Sequence, residues 1–175
     1  MTSVDLDHLK KSAALKASEF VRDGMVVGLG TGSTAKHLLV ALGEQVKAGM
    51  KLRGVPTSQE TAALARQAGI PLIDAENRWE IDVAIDGADQ VDPHFNLIKG
   101  GGGALLKEKI VAASAKLFIV MVDHTKQVPV LGGSFPLPIE VIPFGWGSTA
   151  RVIEALTKSR VVLRERNGAP FRTEA

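Results

Sequence analysis

Apolar residues Leu6, Leu9, Ala13, Ala14, Ala17, Phe20 and Val21 recur at helical spacing and predict an amphipathic helix over residues 3–22. Asp5 and Asp7 fall in its first turn, where the helix dipole favours negative charge, and Asp23-Gly24 stops it. The pattern then shortens. A continuous apolar run at 25–29 predicts a buried strand, the turn Gly30-Thr31-Gly32-Ser33-Thr34 opens a helix over 35–47, and 52–55 is a second strand. Ser58 is the expected N-cap of a helix over 58–67, with Thr61 in its first turn. Short strands are predicted at 70–73 and 81–85, then a helix from the glycine run to Ala115 and a strand at 116–122.

Strands that alternate with helices predict an α/β fold: a Rossmann-like, mostly parallel sheet with helices on both faces. In such sheets a ligand sits beyond the carboxyl ends of the strands. The turn at Thr31, Asp86 and Asp123 each follow a strand, so all three belong on that edge. From Val128 the texture changes, with Pro129, Gly132, Gly133, Pro136, Pro138 and Pro143 crowded together. Strands at 139–142 and 161–164, a helix at 148–157 and a turn at Asn167-Gly168 follow. This predicts an α/β catalytic domain over 1–127 and a smaller α+β (ferredoxin-like) unit over 128–175, left incomplete at Ala175.

With 175 residues, 45% of them hydrophobic, the chain can bury a real core. The absence of cysteine excludes disulfides and thiolate metal sites and fits a cytoplasmic protein. No apolar run reaches membrane-spanning length. The net charge is only +2, basic and acidic residues are mixed, and aromatics are 5% with no tyrosine, which argues against nucleic-acid binding.

The densest chemistry lies in DGADQVDPHFNLIKGGGGALLKEK, from Asp86 to Lys109. Two carboxylates, Asp86 and Asp89, follow an apolar strand; Lys99 precedes the four glycines Gly100 to Gly103; Glu108 lies one or two turns into the next helix. Four glycines offer a core nothing to bury, whereas backbone that must approach a ligand closely needs them. A carboxylate placed as Glu108 is, partly desolvated, has its pKa raised and can serve as a base. Taken singly, the two aspartates also fit an Asx-turn pair, Lys107 to Lys109 a solvated helix face, and Lys126 an ordinary loop lysine. The turn GLGTGSTA, Gly28 to Ala35, offers N–H groups and hydroxyls at a helix start and suits a monophosphate, or is a capped glycine turn. It lacks the third glycine of a dinucleotide fingerprint and the Gly-Lys-Ser/Thr of a Walker loop. Metal binding by the carboxylates stays open, but His8, His37, His94 and His124 are dispersed.

In order, GLGTGSTA, DGADQVD, KGGGGALLKEKI, VDHTKQV and PIEVIPFGW resemble ribose-5-phosphate isomerase A. The resemblance covers residues from Leu6 to about Arg172. It implies interconversion of D-ribose 5-phosphate and D-ribulose 5-phosphate in the non-oxidative pentose phosphate pathway, with no metal or organic cofactor, in a homodimer or homotetramer. By similarity, Thr31, Gly32, Ser33 and Thr34, then Asp86, Gly87, Ala88 and Asp89, then Lys99, Gly100, Gly101, Gly102 and Lys126 bind substrate. Glu108 falls on the family's proton acceptor. The expected chemistry is proton transfer by Glu108, oxyanion stabilisation by Lys99 with Asp89 or loop N–H groups, and ring opening by Asp86. Family members continue for some tens of residues beyond the position of Ala175, and more often have a small or acidic residue where His124 stands. A sugar-phosphate sensor domain on the same scaffold, binding without turnover, is the rival reading. An amino-sugar phosphate deaminase finds no histidine in the active-site blocks.

Overall fold

The computed structural model describes residues 3–74, 76 and 78–175, with the side chains of the first helix described from Leu6 onward; Asp5 lies outside them. The first helix, α1 (Ser3–Ser18), ends four residues short of the expected boundary at residue 22. Its last turn tightens: Glu19, Phe20 and Val21 N–H bond to the carbonyls three residues back. Next come β1 (Val26–Leu29), α2 (Ser33–Lys47), β2 (Arg53–Pro56), α3 (Gln59–Gln67) and β3 (Ile81–Gly87). A short antiparallel pair, β4 (Gln90–Val91) and β5 (Leu97–Ile98), precedes α4 (Leu105–Ala113) and β6 (Ala115–Met121). The remainder holds α5 (Trp146–Thr157) and the hairpin β7 (Glu165–Arg166) and β8 (Ala169–Pro170).

The four longer strands form one all-parallel sheet in the order β2-β1-β3-β6. Val27, Leu29, Val83 and Ile85 point to one face and are buried with Ala14 and Ala17 of α1 and Leu38, Leu39 and Leu42 of α2. The opposite face carries Val26 and Ala84 against Val111 of α4. Each fully buried Leu, Ile or Val contributes about 1.5–3 kcal/mol, so the two-sided sheet supplies most of the driving force. From β1 the chain moves outward to β2, then returns to the other side of β1 for β3. That reversal opens a crevice at the carboxyl ends of β1 and β3, the place where such sheets hold ligands.

Three strands expected from sequence are absent among the described residues. Residues 70–73 make only one parallel bridge, Gly54 to Leu72, because Pro71 at the sheet edge has no N–H to extend a ladder. Residues 139–142, closed off by Pro138 and Pro143, and residues 161–164 pair with no strand; the ladder shrinks to β7 and β8. Their turn does lie at Asn167-Gly168, with φ of 54° and 76°.

The chain divides into two compact units between Pro138 and Ile139, with Glu174 and Ala175 on the side of the first. Residues 128–138, which their proline content assigns to the second unit, lie with the first. Val128 N–H donates to Val91 O at 2.9 Å, and the buried Gln90 side chain donates to Ser134 Oγ at 2.9 Å and accepts from Gly132 N at 2.8 Å. The second unit, Ile139–Thr173, holds α5 and the hairpin, with the Arg164 guanidinium 3.8 Å from the centre of the Phe171 ring. Among the described residues no helix is long and apolar enough to cross a membrane.

Candidate active site

Beyond β1 the backbone runs on beside β3, with Gly30 N–H donating to Ile85 O at 3.0 Å. A Cβ on Gly30 would lie 2.1 Å from Asp86 Oδ1, so only glycine lets this turn pass the carboxylate. Gly32, at φ 114° and ψ −178°, then turns the chain into α2 in a conformation that L side chains rarely adopt. No side chain caps α2, so the N–H groups of its first turn, at Ser33 and Thr34, remain for an anion. Thr31 N–H donates to Asp86 Oδ1 at 3.1 Å, and Gly87 N–H to the same oxygen at 2.7 Å.

Lys99 arrives by a route the sequence reading missed. Asp92 Oδ1 accepts from His94 N and Asn96 N at 2.9 Å, and this Asx-type turn folds β5 back on β4. The Lys99 ammonium then donates to Asp86 Oδ2 at 2.9 Å and to Gly87 O at 2.5 Å. It also stands 3.1 Å from Glu108 Oε2 on the first turn of α4. Asp86, Lys99 and Glu108 are 6%, 14% and 7% exposed in their side chains, so the cluster is an ionic triad largely removed from water. Glu108 Oε2 meets Lys99 as an ion pair without hydrogen-bonding geometry, and it has no other partner among the described residues.

The two aspartates separate in role. Asp89 Oδ2 accepts from Gly101 N at 2.7 Å and so fastens the glycine loop, whereas Asp86 joins the triad. Gly100 and Gly103 carry positive φ and Gly102 is exposed in this loop, while Ala88, between β3 and β4, is half-buried. Lys126 closes the single 3-10 turn after β6 (His124–Lys126), on the same sheet edge, and makes no hydrogen bond with the triad. Asp123 caps that turn through Thr125 N at 2.9 Å. A further group escaped the sequence reading. Thr31 Oγ1 lies 2.8 Å from Thr57 Oγ1 and 3.2 Å from Thr61 Oγ1, a hydroxyl cluster at the carboxyl ends of β1 and β2. Ser58 caps α3 as expected, accepting from Thr61 N at 3.0 Å. The sequence signal was hydroxyls at Thr57, Ser58 and Thr61 directly after a strand.

A family model described as ribose 5-phosphate isomerase A (phosphoriboisomerase A) matches residues 53–175. The ribose-5-phosphate isomerase A of Bradyrhizobium diazoefficiens is 58% identical over 151 residues, covering 86% of this chain and 62% of that protein. That of Nitrobacter hamburgensis is 54% identical, covering 97% of this chain and 75% of the relative. Among solved structures, a D-ribose-5-phosphate isomerase in complex with phospho-erythronic acid is 43% identical with a TM-score of 0.88, covering 94% of this chain and 73% of that one. The chain belongs to the ribose 5-phosphate isomerase A family. It spans 62% of the length of the first of these relatives.

In this member of the ribose 5-phosphate isomerase A family the triad sets its own electrostatics. Burial pushes the Glu108 carboxyl up and the negative charge of Asp86 pushes it further; Lys99 pulls it back, and the net is a pKa of about 7. For Lys99 burial works against the charge, but the carboxylates of Asp86 and Glu108 outweigh it and hold the ammonium above its ordinary pKa. The site thus offers, at neutral pH, a carboxylate that can take or give a proton beside a permanent cation.

The same shift makes a stability prediction. The folded state holds the Glu108 proton more tightly than the unfolded chain, whose carboxyl titrates near 4.5. Below pH 4.5 there is no penalty; it grows as pH rises and is complete above pH 7, reaching on the order of 3 kcal/mol. Glu108→Gln is therefore expected to raise the unfolding free energy at pH 8 by up to about that amount and by almost nothing at pH 4.5. Urea titrations of both proteins at the two pH values measure it.

The described residues contain no group of three or more side chains suited to a metal. His37 Nε2 pairs with Asp7 at 3.0 Å, and His8, His94 and His124 are exposed. Two surface hollows lie elsewhere: one of 360 Å³ between α1 and α2, lined by Leu15, His37 and Val40, and one of 520 Å³ lined by Arg53, Arg78 and Trp79.

Proposed function

We propose that this chain is the isomerase part of a ribose-5-phosphate isomerase, interconverting D-ribose 5-phosphate and D-ribulose 5-phosphate through an enediolate. The observation that carries the reading is the buried Glu108 carboxyl, poised near neutrality against Lys99 at the end of a glycine loop. Phosphate is held by the uncapped start of α2, with Thr31, Ser33 and Thr34, and Lys126 adds charge from the neighbouring turn. Asp86 exchanges a proton with the ring oxygen or anomeric hydroxyl to open the furanose. Glu108 removes the proton from C2 of the open aldose and returns it to C1, and the proton of the C2 hydroxyl passes to the C1 oxygen at the enediolate stage. Lys99, with the N–H groups of Gly100 and Gly102 in the glycine loop, faces the developing oxyanion. Asp89 keeps that loop in shape through Gly101. The fixed phosphate holds the reacting carbons in register. A binding-only sensor leaves a buried ion cluster, costly to desolvate, without a use.

Incubation with ribose 5-phosphate in deuterated water is the direct test: ketose bearing deuterium at C1 supports the reading, and no conversion overturns it. The base must be ionised to act, so kcat/KM is expected to climb about tenfold per pH unit up to Glu108's pKa of about 7 and then level off. Lys99, held above its usual value, keeps its charge throughout that plateau. A pH profile flat between 5 and 8 would remove Glu108 from the base role. EDTA is expected to leave the rate unchanged, since the proposed steps use only these side chains; inhibition reversed by a divalent cation counts against them.

A further inference from the structure

The hydroxyl cluster behind the phosphate turn has more oxygens than protons, and how those protons are shared constrains Thr31. Thr61 Oγ1 donates to Gly30 O at 3.0 Å and accepts from Ser58 Oγ at 3.0 Å, so its proton is committed. Thr57, 1% exposed, is different. Its hydroxyl reaches Leu29 O at 3.0 Å and Thr31 Oγ1 at 2.8 Å, and it has one proton for the two. Leu29 O also accepts from Thr57 N at 3.0 Å, so that carbonyl stays satisfied when the Thr57 proton leaves it.

Two arrangements follow. With Thr57 donating to Leu29 O, Thr31 donates inward to Thr57 and offers a ligand only lone pairs. With Thr57 donating to Thr31 Oγ1, the Thr31 proton is freed from Thr57 and goes to a ligand oxygen or, with no ligand present, to Thr61 Oγ1 at 3.2 Å. We propose that Thr57 is a positioning residue for the substrate phosphate: its hydroxyl proton turns from Leu29 O to Thr31 Oγ1 when the anion arrives, making Thr31 a donor without stranding a buried polar group. This rests on the isomerase reading for the nature of the substrate. It adds to it a residue that touches no substrate atom and selects for the charge of the phosphate through its neighbour.

The test uses Thr57→Val, which keeps the β-branched shape and removes the hydroxyl, with Thr57→Ser as the conservative control. Thr57→Val is expected to raise KM for ribose 5-phosphate roughly three- to tenfold, the worth of one neutral hydrogen bond, with kcat within about twofold of the parent. The inhibition constant of inorganic phosphate rises by the same factor, and Thr57→Ser restores both. In a Thr31→Val background the Thr57 change has no further effect on phosphate binding. Should Thr57→Val not fold, Thr57→Ala against Thr57→Ser supplies the same comparison. Unchanged KM and phosphate inhibition, a fall in kcat alone, or a serine variant no better than valine overturns the proposal. If the parent protein fails to isomerise ribose 5-phosphate, the functional reading falls, and calorimetric titration with inorganic phosphate still decides the role of Thr57.

Discussion

Glu108→Gln is expected to reduce kcat by about 10²–10⁴-fold while the KM for ribose 5-phosphate changes little. Glutamine keeps the length of the side chain and an oxygen that can face Lys99, whose pairing with Asp86 at 2.9 Å and Gly87 O at 2.5 Å is untouched. The cluster therefore keeps its shape and loses the carboxylate that accepts the proton. Unfolding cannot mimic this result, because the same substitution relieves a buried ionisable group and stabilises the fold at the pH of the assay. Deuterium uptake into substrate should vanish together with turnover. A variant that still turns over at near the parent rate would require another base, and Asp86 is the carboxylate nearest to Lys99 that remains.

Lys99→Met is expected to cost about 10²–10³-fold in kcat, the worth of one preorganised donor to an oxyanion. Methionine fills much of the lysine's volume, so the loss is chiefly of charge. Two readouts separate this from damage to the fold. The fall should appear in kcat more than in KM, since the interaction strengthens only as the enediolate forms. The rising limb of the pH profile should also move upward, because Lys99 is the group that holds the Glu108 pKa down against burial and Asp86. Partial recovery in alkaline buffer follows from that shift without any further assumption. A change confined to KM would leave Lys99 a ground-state binding residue.

Much of this arrangement could be read from the chain before any coordinates. The buried runs of β1, β3 and β6 place the turn at Thr31, Asp86 and Asp123 on one edge, because parallel strands share their direction. What escaped has physical causes. Strands β4 and β5 are two residues each, too short for a period of two to show, yet they carry Lys99 back to Asp86. Residues 139–142 and 161–164 have strand-like composition, but pairing is a property of partners and not of the segment. The contacts of Thr31 with Thr57 and Thr61 span 26 and 30 residues, beyond what local pattern encodes. The proline-rich segment 128–138 looked like the start of a new unit and is tied to the first by Gln90, a single polar residue whose burial nothing in the sequence announced.

Before any sugar arrives, the ammonium of Lys99 is already surrounded by three oxygens, those of Asp86, Gly87 and Glu108. In the proposed reaction Glu108 becomes neutral at the instant it takes hydrogen from carbon, and its hold on Lys99 slackens. The cation is thereby freed towards the sugar oxygen that has just gained negative charge. One transfer both creates the anion and releases its counterion, so the catalyst needs no moving part to keep the two events in step.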